Sequence, residues 1–450
     1  MSASPARAAA FARLARHAAD YPEFAFGDDA PAGLDPRDAA LARAIEQSTL
    51  RHWRAIVPVL TACVTRRFDD VQPEVRGVLM ASAAQLLFHD RLPDHAVVDD
   101  AVEWTKERVH PRPAAFVNAV LRKVIGLRGP VLEHGDADGA RWRDRRDALP
   151  MSDGRVRLLN DALLPDNQVQ RLSAQCSIGR ALFEHWTSTK GFEQAVTLAV
   201  QSLVQPGLTV TGIPAGGIDP ATKAPWPMTP HDAAGFMVWD GGHDQLMSAL
   251  RLHPDARVQD PASARAVDAT RHLQPVRILD ACAGRGTKTA QLANAHPRAE
   301  IVATDTDGPR RAALRQRFKG HARVKVVGPE QLASFGSTFD LVLLDVPCSN
   351  TGVLCRRVEA KYRFSAKGLV GLVDLQQGIA LDHAPLLARD GRMLWSTCSL
   401  EHAENRAQAE WLSRRLKLRI ESDEALLPTG APGSPATAVR NGSYHALLAG

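Results

Sequence analysis

The stretch PVRILDACAGRGTKTAQLANAHPRAEIVATD, residues 275–305, sets the fold class. It opens on a short apolar run, Val276 to Asp280, and passes through a loop of small residues, Ala281 to Gly286. A helical pattern follows over Thr287 to Ala295, then a second apolar run, Ile301 to Thr304. Strand, glycine loop, helix, strand is the building unit of a parallel sheet with helices on its faces. The pattern continues with a helix over Gly308 to Phe318 and a third strand over Phe339 to Leu344, whose apolar run suits burial on both faces. A helix over Asp374 to Leu387 and a fourth strand over Gly391 to Ser396 complete it. Residues 259–450 are therefore expected to form an α/β, Rossmann-like domain with a doubly wound, mostly parallel sheet.

Upstream the periodicity differs. From about Asp35 to Leu127 apolar residues recur at helical spacing, with Val75 to Phe88 and Ala114 to Ile125 reading as amphipathic helices between prolines. Residues 1–128 read as an all-helical domain. Residues 129–166 contain GDADGARWRDRRD, charged and poor in apolar side chains, and read as a linker or exposed insertion. Residues 167–258 mix helical and strand-like pieces and read as a small α+β adaptor.

A chain of 450 residues is too long for one ordinary core. Its 45% hydrophobic and 23% charged content is that of a globular protein, and its net charge of +5 permits a nucleic-acid partner without requiring one. Six scattered cysteines make no disulfide framework, and with no C-x-x-C pair no metal site is expected. With no apolar run of membrane-span length and no leader signature, the expectation is a cytoplasmic monomer with no membrane contact.

Ligands of such a sheet bind beyond the carboxyl ends of the strands. Four short clusters lie there: Asp280 to Gly286, Asp305, Asp345 to Ser349, and Thr397 to Ser399. The first lacks the third glycine of a dinucleotide fingerprint and the G-K-[ST] of a phosphate loop. It suits an S-adenosylmethionine loop, with Cys282, Ala283, Gly284, Arg285, Gly286 and Lys288 about the cofactor and Asp305 at its ribose. That pairing alone would also fit a dehydrogenase. Cys348 and Cys398, at two different strand ends, favour methyl transfer to carbon 5 of cytosine. That carbon becomes nucleophilic only after a thiolate adds to carbon 6, and a base must then remove a proton. Asp345 is placed to hydrogen-bond N3 if partly protonated. Free cysteine has a pKa of about 8.5, so the site should be electropositive, and Arg356 and Lys361 are the candidate cations.

Together these residues resemble the RNA 5-methylcytosine methyltransferases, most closely the RsmB (Sun or Fmu) type that modifies 16S rRNA. The family's D-x-C-A-A-P-G-G-K-T is matched by Asp280 to Thr289, with Gly284 and Arg285 in place of alanine and proline. Its D-A-P-C-S segment is matched by Asp345 to Ser349, and its T-C-S followed by P-E-E-N by Thr397 to Ser399 and His402 to Asn405. Leu92 to Val98 and Phe116 to Arg122 are similar to segments of the NusB-like RNA-binding domain that such proteins carry. The resemblance implies that Cys398 is the nucleophile, that Cys348 assists product release, and that Asp345 holds the cytosine edge. It also implies that Pro347, Arg356 and Lys361 face the RNA. Where the family has an aspartate at the adenine, Glu330 is the acidic residue present. Two other readings remain: the same chemistry on tRNA or another RNA, and a non-catalytic RNA-binding assembly factor.

Overall fold

The computed structural model describes residues 3–24 and 33–450. The chain forms two compact units. One comprises the residues up to Gln205 together with Leu354–Ser365 and Ala431–Ser434; the other comprises Pro206–Val353, Ala366–Gly430 and Pro435–Gly450.

The first unit is mainly helical: α1 (Pro5–Asp20), α2 (Pro36–Cys63), α3 (Pro73–Phe88), α4 (Asp94–Arg108) and α5 (Pro111–Leu127). Proline opens α1, α2, α3 and α5, where its missing N–H is one the first turn could not use. The stretch read as an amphipathic helix over Val75 to Phe88 is instead the centre of the bundle. Twelve of the 16 residues of α3 are buried, right around its circumference. Its small residues allow this: a Cβ on Gly77 would lie 2.4 Å from the backbone nitrogen of Ala15, so α1 and α3 touch backbone to backbone.

Residues 129–166 are not a solvated linker. They hold most of a three-stranded antiparallel sheet ordered β1 (Arg128–Leu132), β3 (Val156–Leu159), β2 (Ala148–Pro150). Glu133 to Asp144 are largely exposed, while several of the arginines that follow are ion-paired. Arg155 and Arg157 share the carboxylate of Asp90 at 2.6 and 2.5 Å, and Arg145 meets Asp147 at 2.6 Å. The buried amide of Gln175 donates to the carbonyls of Trp142, Arg145 and Ala148. The segment read as one adaptor, 167–258, is divided: its helices Gln168–Gln175, Arg180–Lys190 and Phe192–Gln201 belong to the helical unit. Its strands β4 (Leu208–Thr211), β5 (Met228–Pro230), β6 (Phe236–Trp239) and β7 (Arg257–Val258) form a four-stranded sheet in the second unit.

The second unit carries the expected doubly wound sheet. Its strands are β8 (Arg277–Asp280), β9 (Glu300–Ala303), β10 (Val324–Val326), β11 (Phe339–Asp345), β12 (Leu387–Thr397), β13 (Arg419–Leu426) and β14 (Ser443–Ala449). They lie in the order β10-β9-β8-β11-β12-β14-β13. The first five are parallel, and β14 runs antiparallel to both its neighbours. The order reverses between β8 and β11, the crevice where ligands of such sheets bind. The helix expected over Asp374 to Leu387 begins earlier, spanning Ala366–His383, and β12 begins at Leu387.

Candidate active site

The sheet register brings the strand-end clusters together. Leu343 of β11 stands beside Asp280 of β8, and Asp345 beside Ser396 of β12. The loops that follow therefore emerge side by side, and the Sγ atoms of Cys348 and Cys398 lie 3.3 Å apart. Asn350 sits in the left-handed region (φ 60°) and fixes the turn: its amide donates to the Cys348 carbonyl at 2.8 Å, while its Oδ1 accepts from the Cys398 thiol at 3.2 Å. The hydrogen bond with Cys398, burial and the Cys398 charge all push the Cys348 thiol up. Cys348 is therefore held as a neutral thiol.

Asp345 is not a lone carboxyl. Lys288 reaches it from the glycine-loop helix at 2.8 Å, and the Ser396 hydroxyl donates to its other oxygen at 3.0 Å. Burial alone would lower the lysine, but the charge and hydrogen bond of Asp345 outweigh it and hold Lys288 above its ordinary value. Lys288 is thus an ammonium, a donor beside Asp345. A small cavity of about 30 Å³ opens beside Cys398, lined among others by Ser263, Lys288, Ser396 and Tyr444.

Across the crevice, Asp305 accepts the Gly284 N–H at 2.8 Å and so ties the end of β9 to the glycine loop. Gly286 (φ +84°) permits close packing, since a Cβ there would lie 2.6 Å from Leu314 and Phe318. Asp280 is fully buried; Thr289 donates to one oxygen at 2.7 Å, and the other has no hydrogen-bond partner. Burial raises its pKa to about 7. An orphaned carboxylate oxygen beneath a glycine loop is a fitting receptor for an ammonium such as the one S-adenosylmethionine carries. Cys282 on the same loop is held high by burial and the neighbouring carboxylates, which makes it a neutral thiol. Ala283 is buried, Arg285 is exposed, and Glu330 is exposed beyond β10 at the same edge as Asp305.

Two expected cations fall in the helical unit. Arg356 and Lys361 belong to the segment Leu354–Ser365 of the helical unit. Lys361 is wholly buried there and donates to the Arg51 carbonyl at 3.0 Å. Burial and Arg51 push it well below its ordinary value, so it is no surface cation for RNA. Pro347 is exposed beside Cys348, and its carbonyl accepts from Gln376 at 2.9 Å.

Sequence reasoning misses Glu404, although it lies within the matched stretch His402 to Asn405. Glu404 is fully buried, and its Oε1 accepts from the Ser349 N–H and from Gln376, each at 2.9 Å. Its Oε2 accepts from the Ser349 and Ser399 hydroxyls, the latter at 2.5 Å. Ser349 follows Cys348 and Ser399 follows Cys398, so one carboxylate clamps both thiol-bearing loops. Among the described residues no group of three or more His, Cys, Asp or Glu could hold a metal, and no helix is long and apolar enough to cross a membrane.

A doubly wound sheet with β14 inserted antiparallel, a glycine loop after its first strand and paired thiols at its switch point define a Rossmann-like methyltransferase. The family model for 16S rRNA methyltransferase RsmB/F matches residues 271–439, and the NusB family model matches residues 4–126. The ribosomal RNA small subunit methyltransferase B of Xanthomonas campestris pv. campestris is 30% identical over 440 residues, 93% of this chain and 90% of that protein. Its namesake in Vibrio cholerae is 28% identical over 430 residues, 92% and 90% of the two chains. A methyltransferase homologue from Pyrococcus horikoshii superposes with a TM-score of 0.50 at 17% identity, covering 63% of this chain and 99% of that one. Another solved structure covers 100% of this chain and 99% of its own with a TM-score of 0.70, also at 17% identity. The chain belongs to the RsmB/F family of 16S rRNA methyltransferases.

Proposed function

We propose that this protein uses S-adenosylmethionine to methylate carbon 5 of a cytosine in 16S rRNA through a covalent adduct on Cys398. The observation that carries the reading is the pair of thiols 3.3 Å apart, beside a half-buried lysine–aspartate pair. The rRNA substrate follows the names of the relatives. The cofactor, when bound, supplies an electrophilic methyl group on a sulfonium. Asp280 and the loop from Cys282 to Gly286 would hold its methionine end, and Asp305 its ribose, with Glu330 the acidic side chain toward the adenine.

The protein's own groups account for the rest. Cys398 as thiolate adds to carbon 6 and makes carbon 5 nucleophilic. Lys288 donates a hydrogen bond to the ring, which draws electron density from carbon 6, and Asp345 accepts from the exocyclic amine. Once carbon 5 is alkylated, its proton must leave so that the C6–S bond can break and return its electron pair to Cys398. Cys348 is suited to that step. Two of the three main influences that keep its proton on, the hydrogen bond and the charge of Cys398, vanish when Cys398 becomes a thioether. Cys348 can then release its own proton to solvent more easily, and as thiolate it takes the proton from carbon 5.

The test is methyl transfer from labelled S-adenosylmethionine to unmethylated 16S rRNA. Cys398→Ala should lose transfer by several orders of magnitude and form no adduct. Cys348→Ala should accumulate an RNA–protein adduct stable to denaturing electrophoresis. Full activity in Cys398→Ala would refute the mechanism.

A further inference from the structure

The excess of positive charge in this chain has one address. Residues 308–329 contain seven Lys and Arg and no Asp or Glu. The whole chain has 55 basic against 50 acidic residues, so outside this stretch the balance is 48 to 50. The stretch that holds the helix Gly308–Arg317 and the strand β10 thus carries more than the whole net charge of +5. Their inner side is apolar: Leu314 and Phe318 pack under Gly286 of the glycine loop. Arg310, Arg315, Arg317, Lys319 and Lys325 are exposed.

The hydrogen bonds that anchor these cations are with neutral groups. Arg311 reaches the carbonyls of Asp305 and Thr306, and Arg323 those of Ala293, His296 and Ala299. Arg317 donates to the carbonyl of Arg285 at 3.1 Å and lies over the Phe318 ring, while Lys325 lies over Phe335. The acids nearest in sequence, Asp305 and Asp307, accept backbone N–H groups of Gly284, Asp307 and Arg310. The helix and strand thus present a concentration of positive charge at one face of the domain. Through Arg317 that face is continuous with Arg285, the exposed residue that departs from the family's loop proline.

We propose that this face, from Arg285 along Gly308–Lys325, binds the phosphodiester backbone of the RNA that flanks the target cytosine. The inference rests on the proposed function for the identity of the polyanion. A phosphate chain is the ligand that clustered Arg and Lys side chains recognise without base contacts, and such binding releases counterions, which makes it steeply salt-dependent.

The experiment uses the full chain with S-adenosylmethionine and unmethylated 16S rRNA transcript. The triple variant R310Q/R315Q/K319Q, which leaves every residue of the candidate active site in place, is compared with wild type and with R310K/R315K. The triple variant should raise KM for RNA about tenfold or more and lower the slope of log affinity against log salt by roughly 2–3, about one for each phosphate no longer neutralised. Affinity for S-adenosylmethionine and kcat at saturating RNA should stay at the wild-type level, and R310K/R315K should keep the wild-type salt slope. An unchanged KM and slope would overturn the proposal and make the face a solvated one. If wild type bound the transcript without methylating it and the triple variant lost that binding, the surface would stand and the proposed reaction would fall.

Discussion

Glu404 shows how a residue that touches no reactant can govern a reaction. A carboxylate offers only acceptor sites, and all four groups around it are donors: the Ser349 N–H, the Ser349 and Ser399 hydroxyls and the Gln376 amide. In Glu404→Gln an amide N–H₂ takes the place of an acceptor, so the serine hydroxyls must turn their protons away and the charge-assisted bonds that hold the two loops are lost. The expected outcome is a 10- to 100-fold loss in kcat, because a displacement of about 1 Å between reacting groups has that effect. KM for RNA should change much less. Steady-state kinetics separates the two, and a kcat at the wild-type level would show that the clamp does not position the thiols. Cys348, Cys398 and Asp345 are legible from sequence because each closes an apolar run. Glu404 is not, since nothing in a chain of letters says that a surface-type residue will be buried between two loops about 50 positions apart.

Among the elements, α3 tests what buries the helical core. Gly77 is where α1 and α3 meet, with the Ala15 backbone 2.4 Å from the site of a Cβ. Alanine is the better helix former by about 1 kcal/mol, so an exposed Gly→Ala change would stabilise. Here the two backbones would have to separate, and overpacking of this kind destabilises by about 1–3 kcal/mol. Gly77→Ala should therefore lower the urea midpoint of the protein. A raised midpoint would mean that α1 moves aside at little expense. The helix itself is readable from apolar spacing, but its place at the centre is not. Its alanines, Ser82 and Gln85 are ambiguous letters until neighbours surround them.

Across the molecule, buried cations set a pH dependence. In the helical unit His52 is pushed well below its ordinary value by burial and by Lys361, Arg51 and His89. Lys361 is lowered by burial and Arg51, and the guanidinium of Arg51 falls to about 10 by burial. For a cation lowered in the fold, the unfolded chain binds the proton more readily, so stability rises with pH until the unfolded group also loses its proton. His52 contributes this slope below about pH 6.5, and Lys361 contributes it up to about pH 10.4, where the unfolded lysine also loses its proton. The denaturant midpoint of the full chain should therefore climb from about pH 5.5 to about pH 8. Lys361→Met should flatten the climb above about pH 6.5, and an unaltered slope in that variant would show that the folded lysine stays charged. The two-unit organisation belongs to this level too. Composition suggests a linker at 129–166, whereas ion pairs to Asp90 and the Gln175 amide order that stretch within the helical unit.

The order of residues alone settles whatever is governed by neighbours in the chain: the alternation of apolar strands and helices, the glycine loop, and the strand-end positions of Asp280, Asp305, Asp345, Cys348 and Cys398. Those follow from periodicity and from the rule that a parallel sheet presents its strand ends to ligands. It took the packed chain to show that Lys288 pairs with Asp345, that Lys361 is buried beneath Arg51 rather than offered to RNA, and that Glu404 holds the two thiol loops. Each of these depends on which distant side chain shares a low-dielectric environment with which. Burial sets the charge state and partner of an ionisable group, and burial is a property of the folded chain rather than of its order.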